Sequence, residues 1–94
     1  MDCSLLHWRR HALERMFQRD ISRVEVKKVL DIGEIIETYN DDQPFPSKLV
    51  FAIIDKKPLH VVVAEDSKTE ECYIITAYVP TVEYFSDDFM MRRR

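Results

Sequence analysis

Ile21-Ser22-Arg23-Val24-Glu25-Val26-Lys27-Lys28-Val29-Leu30-Asp31-Ile32-Gly33 carries its own start and stop signals. Ser22 can cap a helix, Glu25 three residues later completes a capping box, and Ile21 can staple against Val26. Val26, Val29 and Leu30 then fall on one helical face. Gly33, the only glycine of the chain, stands where such a helix needs a left-handed C′ residue. The stretch therefore predicts a helix over 23–32, with Gly33 at positive φ.

On the N-terminal side, residues 4–19 read as a second amphipathic helix. Leu5, Ala12, Leu13, Met16 and Phe17 share an arc of roughly 140° at 100° per residue. His7, His11, Arg15 and Arg19 recur every fourth residue as a polar stripe. On the C-terminal side the period changes to that of strands. Ile35 to Tyr39 suggests a short strand, and Asn40 to Ser47 a polar, proline-containing loop. Lys48 to Asp55 is nearly continuous in apolar residues, as a strand covered on both faces would be. Leu59 to Ala64 and Cys72 to Val79 follow as two more strands, joined by short connections that favour antiparallel neighbours. Thr81 to Met91 reads as a short helix or an irregular tail anchored by Tyr84, Phe85 and Phe89. The pattern predicts one α+β domain over residues 1–94, two N-terminal helices packed on a three- to four-stranded, mostly antiparallel sheet.

Ninety-four residues, 46% of them hydrophobic, suffice for one compact core. The longest apolar runs are strand-sized, far too short to span a bilayer, and the basic turn at His7 to His11 reads against a signal peptide. Cys3 and Cys72 follow no disulfide or metal spacing, which predicts reduced thiols and a cytoplasmic location. The net charge of −3 excludes a strongly basic nucleic-acid binder, yet the charge is unevenly spread. Residues 1–30 have a balance of +3, residues 31–88 of −9, and the last six, with Arg92, Arg93 and Arg94, of +3. Basic ends around an acidic middle can form a local cationic patch, or can be ordinary clustered surface charge.

Two groups of residues can carry chemistry. On the first helix, His11 can titrate near neutrality beside Arg15 and Arg19 as an anion site; the plain alternative is a solvated helix face whose long stems cover the sheet edge. His7 and His11 lack the further ligands that a metal needs, so neither metal nor cofactor is expected. In the strands, alternation puts His60 with Val62 and Ala64, opposite Leu59, Val61 and Val63. It also groups Cys72, Ile74, Thr76 and Tyr78, so that His60, Thr76 and Tyr78 can form a polar patch; alternatively, His60 is simply a hydrogen-bonded strand residue. One glycine cannot build a phosphate loop, and no covalent-hydrolase signature appears. Asp41-Asp42 and Asp87-Asp88 read as solvated charges.

The order of several short motifs resembles a bacterial family catalogued as domain of unknown function 4258. They are His11-x3-Arg15-Met16-x2-Arg19-x-Ile21-Ser22, Gly33-Glu34 with Tyr39, Pro44-x-Pro46, Lys57-Pro58-Leu59-His60-Val61-Val62, Ile75-Thr76-Ala77-Tyr78-Val79-Pro80 and Phe89-Met90-Met91-Arg92-Arg93. The family is similar in outline to RelE/ParE-like toxins, including the MqsR and BrnT groups. That likeness implies a metal-free endoribonuclease of a type II toxin–antitoxin pair, with a zinc-finger, MqsA-like antitoxin and RNA as partners. In such a reaction the ribose 2′-OH attacks its own 3′-phosphate, which requires a base, a proton donor and cations. His60, His11 and Tyr78 would supply the acid–base groups, and Arg15, Arg19 and Arg93 would hold phosphate. A non-catalytic protein- or nucleic-acid-binding module is the alternative.

Overall fold

The computed structural model describes residues 1–93. Its elements run β1 (Leu5–Trp8), α1 (Arg10–Gln18), α2 (Arg23–Ile32), β2 (Glu34–Tyr39), β3 (Ser47–Ile54), β4 (Lys57–Glu65) and β5 (Glu71–Tyr78). The strands form one sheet in the order β1-β5-β4-β3-β2. From β2 to β5 every pairing is antiparallel, while β1 lies parallel to β5. The α+β outline is as expected, but the sheet is mixed and has five strands.

The extra strand comes from the first half of the expected helix 4–19. Leu5 to Trp8 pairs with Glu71 to Ile74, more than sixty residues away. No capping side chain opens α1 at Arg9, so the sequence offered no local signal for the change from strand to helix. That pairing also carries Cys3 to Cys72, and the two are joined in a disulfide with Cα atoms 5.6 Å apart. The expectation of reduced thiols is thereby corrected, and with it the ground for inferring a reducing compartment. The physical cause is the parallel edge strand, which brings together cysteines 69 residues apart.

The second helix forms as its punctuation predicts. Ser22 accepts from the Glu25 N–H at 3.1 Å, and Glu25 accepts from the Ser22 N–H at 2.9 Å. Lys57 reaches the same carboxylate at 2.9 Å, and the capping N–H bond, ahead of this cation, holds Glu25 below its ordinary pKa. Gly33 is a correction. Its φ is −75°, open to any residue, and its N–H closes the helix on Val29 O at 2.7 Å. Glycine is needed for space instead: a Cβ would come within 2.2 Å of Val29 O, 2.7 Å of Val50 Cγ1 and 2.9 Å of Phe51 O.

Both helices pack on one face of the sheet. Ala12 and Met16 of α1 and Val26, Val29 and Leu30 of α2 meet Val50, Ala52 and Ile54 of β3, Leu59, Val61 and Val63 of β4, and Cys72, Ile74 and Ala77 of β5. In β4 the predicted alternation holds. In β5 it breaks once: Val62 pairs with Thr76 and Val63 with Ile74, leaving Ile75 as a bulge. Cys72 and Ile74 therefore enter the helix-side core, while Thr76 and Tyr78 turn to the far face. Residues 81–93 form no helix. They fold into a turn-rich tail, closed by a bridge between Phe85 and Arg92, that lies on the far face. No helix among the described residues is long and apolar enough to cross a membrane.

Candidate functional site

Register places the polar residues of the far face in rows. His60 stands directly opposite Tyr78 and Phe51; Glu37 stands opposite Leu49 and Tyr39 opposite Ser47. The tail then lays Phe85, Phe89 and Arg92 across these rows.

His60 is the centre of this arrangement, with no surface exposed. Its Nε2 lies 2.7 Å from Phe89 O and its Nδ1 3.2 Å from the Tyr78 hydroxyl. A carbonyl can only accept, so Nε2 carries the proton and donates to Phe89, and Nδ1 accepts from Tyr78. Phe85 sits edge-on to the imidazole with centroids 4.4 Å apart, and Phe51 and Tyr78 enclose it at 5.6 and 5.3 Å. Burial pushes the His60 pKa below its ordinary value, opposed by the Phe89 carbonyl. The imidazole is thus a neutral latch that fastens the tail to the sheet.

A polar cluster continues outward from the latch. Tyr39 donates to Glu37, and Arg92 Nη2 reaches Tyr39 Oη at 3.3 Å and Glu37 Oε1 at 3.5 Å. The same guanidinium lies 4.9 Å over the Phe85 ring. Burial raises the Tyr78 pKa, with Arg92 acting against it, and burial also raises that of Tyr39. One carboxylate, one guanidinium, two phenols and the imidazole behind them so converge from β2, β4, β5 and the tail. Elsewhere on this face His7, Tyr73 and Phe45 stack, with centroids 4.5 and 5.5 Å apart, and His7 Nε2 meets Glu71 at 2.7 Å.

The other expected site residues lie elsewhere. His11 and Arg15 are exposed on α1, across the sheet from His60, so they do not share a surface with it as the joint roles implied by the family likeness require. Arg19, at the end of α1, reaches round the edge of β5: its Nη1 donates to Ala77 O at 2.9 Å and Thr76 Oγ1 at 3.3 Å. It lines a cleft of about 510 Å³ with Tyr78, Val79, Pro80, Thr81, Tyr84 and Phe85. Arg93 is held within the tail by Val82 O at 2.5 Å and Asp87 at 3.0 Å. Of the expected residues, only His60, Tyr78 and Arg19 come near one another. The sequence reading missed Glu37, Tyr39 and Arg92. Tyr39 and Arg92 stood within the family motifs, but only strand register and the path of the tail show that the three meet. Among the described residues no three His, Cys, Asp or Glu side chains gather as a metal site.

No curated protein and no solved structure matches this chain. A family model does, over residues 8–79, a span that includes Glu37, Tyr39, His60 and Tyr78 and stops short of the tail with Arg92. The chain belongs to the family described as domain of unknown function (DUF4258).

Proposed function

We propose that the protein is a toxin-like, metal-free endoribonuclease acting at the far-face cluster, with an antitoxin protein as its partner in the cell. The convergence of Glu37, Arg92 and Tyr78 on one face of the sheet carries this reading. Phosphodiester transesterification requires a group to take the 2′-OH proton, a cation for the charge that develops on phosphorus, and a proton for the departing 5′ oxygen. Glu37 Oε1 is engaged by Tyr39 and Arg92, which leaves Oε2 to accept the 2′-OH proton. Arg92 offers a guanidinium to the non-bridging oxygens. Tyr78, kept protonated by burial, turns its one hydroxyl proton from His60 Nδ1 to the 5′ oxygen and regains a proton from solvent after the step, while His60 acts as a positioning residue behind it. The 2′ oxygen forms its bond to phosphorus as the P–O5′ bond breaks, leaving a 2′,3′-cyclic phosphate and a 5′-hydroxyl. An acidic chain binds RNA weakly, because affinity grows with the number of neutralised phosphates, but one reacting phosphate needs few cations.

The test is cleavage of an RNA oligomer by purified protein in the presence of a chelator. Cyclic-phosphate ends are expected, and no cut where the ribose is 2′-deoxy. Glu37→Gln and Arg92→Ala should each lower the rate about 100-fold or more while leaving the melting temperature within a few degrees. An inactive wild-type protein, or two fully active variants, would sink the catalytic reading. The second reading would then lead: a non-catalytic binding module, favoured by the complete burial of His60 under the tail.

A further inference from the structure

The edge of β5 points to a second site, separate from the far-face cluster. β1 pairs only with Glu71 to Ile74, so Ile75 to Val79 has no strand beside it on that side. On such an edge every other residue turns its N–H and C=O away from the neighbouring strand. Arg19 meets this row at Ala77 O, through Nη1 alone. A guanidinium has five donors, and its Nε–Nη2 side matches a carboxylate in the side-on, two-bond geometry. No carboxylate lies within ion-pair reach of Arg19 among the described residues, and the same holds for Arg9 and Arg15. Beside Arg19 the 510 Å³ cleft opens between β5 and the tail. Its rim is apolar and unpartnered: Val79 is 41% exposed and Tyr84 65%.

We propose that this edge and cleft dock an extended segment of a partner protein that carries alternating apolar and acidic side chains. The segment lies along Ile75–Val79 and bonds the edge groups that Arg19 leaves free on either side of Ala77 O. It places an apolar side chain in the cleft against Val79 and Tyr84, and sets a carboxylate on the free side of Arg19. Three features ask for these three things: a backbone edge that no strand pairs and that Arg19 meets only at Ala77 O, an apolar hollow, and a cation with no carboxylate beside it. Strand addition of this kind takes its affinity from main-chain hydrogen bonds and its specificity from alternate side chains. RNA fits less well, since the lining is largely apolar around one cation and phosphate binding scales with cation number.

The probe is a short alternating valine–glutamate peptide, blocked at both ends, titrated into ¹⁵N-labelled protein. Saturable amide shifts are expected at Ile75 to Val79 and Tyr84, together with a shift of the Arg19 Nε–H. Arg19→Met should weaken binding about tenfold or more, and Tyr84→Ala, a change at an exposed ring, should weaken it in a fold that stays intact. A valine–lysine peptide should not bind. Absent shifts, shifts confined to the Arg92 cluster, or equal affinity in both variants would overturn the proposal. So would an RNA oligomer that produces the same edge shifts, because it would assign the cleft to nucleic acid. The readout is independent of RNA cleavage, so the ribonuclease reading can fail without deciding this one.

Discussion

The two faces of one strand, β4, are closed in different ways. Leu59, Val61 and Val63 point to α1 and α2, and each is fully buried among other apolar side chains. Such a face is sealed by non-directional burial, and any apolar side chain of suitable size serves. One residue along, His60 is equally buried but polar at two atoms. A buried imidazole is tolerated only where both nitrogens find partners, and here those are Tyr78 and the carbonyl of Phe89. The helix side is thus held by pattern, the apolar stripes of two helices against the apolar strand faces. The far side depends on an irregular tail arriving at one geometry.

The largest effect that can break this contrast comes from neighbouring substitutions in β4. Leu59→Ala should cost about 2–5 kcal/mol of global stability, as large-to-small core changes do. His60→Ala should cost a similar about 3–5 kcal/mol, adding unpaired Phe89 and Tyr78 groups to the cavity. Hydrogen exchange separates them: His60→Ala should release amides of residues 81–93 ahead of the core, and Leu59→Ala should not. Equal protection of the tail in both variants would mean that the latch is not what holds it.

Acid should loosen the far face selectively. The folded state holds the His60 pKa below its ordinary 6.5, so below that pH the unfolded chain takes up a proton that the folded chain resists. The latch's full stability is therefore present above pH 6.5 and is lost as the pH falls towards the folded pKa. Linkage limits the loss to about 1.4 kcal/mol per pH unit. Melting followed from pH 7.5 to 5.5 should show this decline, with a shallower slope in His60→Gln. Identical slopes would remove His60 as the cause.

The smallest effect tests the helix side. Ser22→Ala should cost about 1 kcal/mol through the lost cap, with tail exchange following only the global change. Thermal or denaturant unfolding measures it, and no loss would mean that the Glu25–Lys57 pair suffices to start the helix.

Legibility followed the range of the interactions. The second helix could be read because its cap, staple and buried stripe all lie within ten residues, Ile21 to Leu30. The β4 alternation could be read because period 2 is local. The β1 strand could not: Leu5 and Phe17 fit a helical arc with the core residues, yet the structure leaves them 53% and 88% exposed. Its parallel pairing with β5 cannot be seen in either segment alone. At the candidate site the place of His60 was legible from its strand, whereas the face of Tyr78 was not, because the bulge at Ile75 interrupts the alternation. Helical spacing alone cannot show that Arg15 lies across the sheet.

By itself, the sequence determined which segments become α2 and the four later strands, because periodicity and capping are properties of neighbouring residues. It also determined that Leu59, Val61 and Val63 share the face of β4 opposite His60, by the period of a strand. Tertiary structure alone decided the parallel edge strand, the Cys3–Cys72 bond, the bulge at Ile75 that turns Tyr78 outward, and the meeting of Glu37, Tyr39 and Arg92. Each of these joins positions far apart in the chain, and such pairings are chosen by the packing of the whole sheet rather than by any local preference.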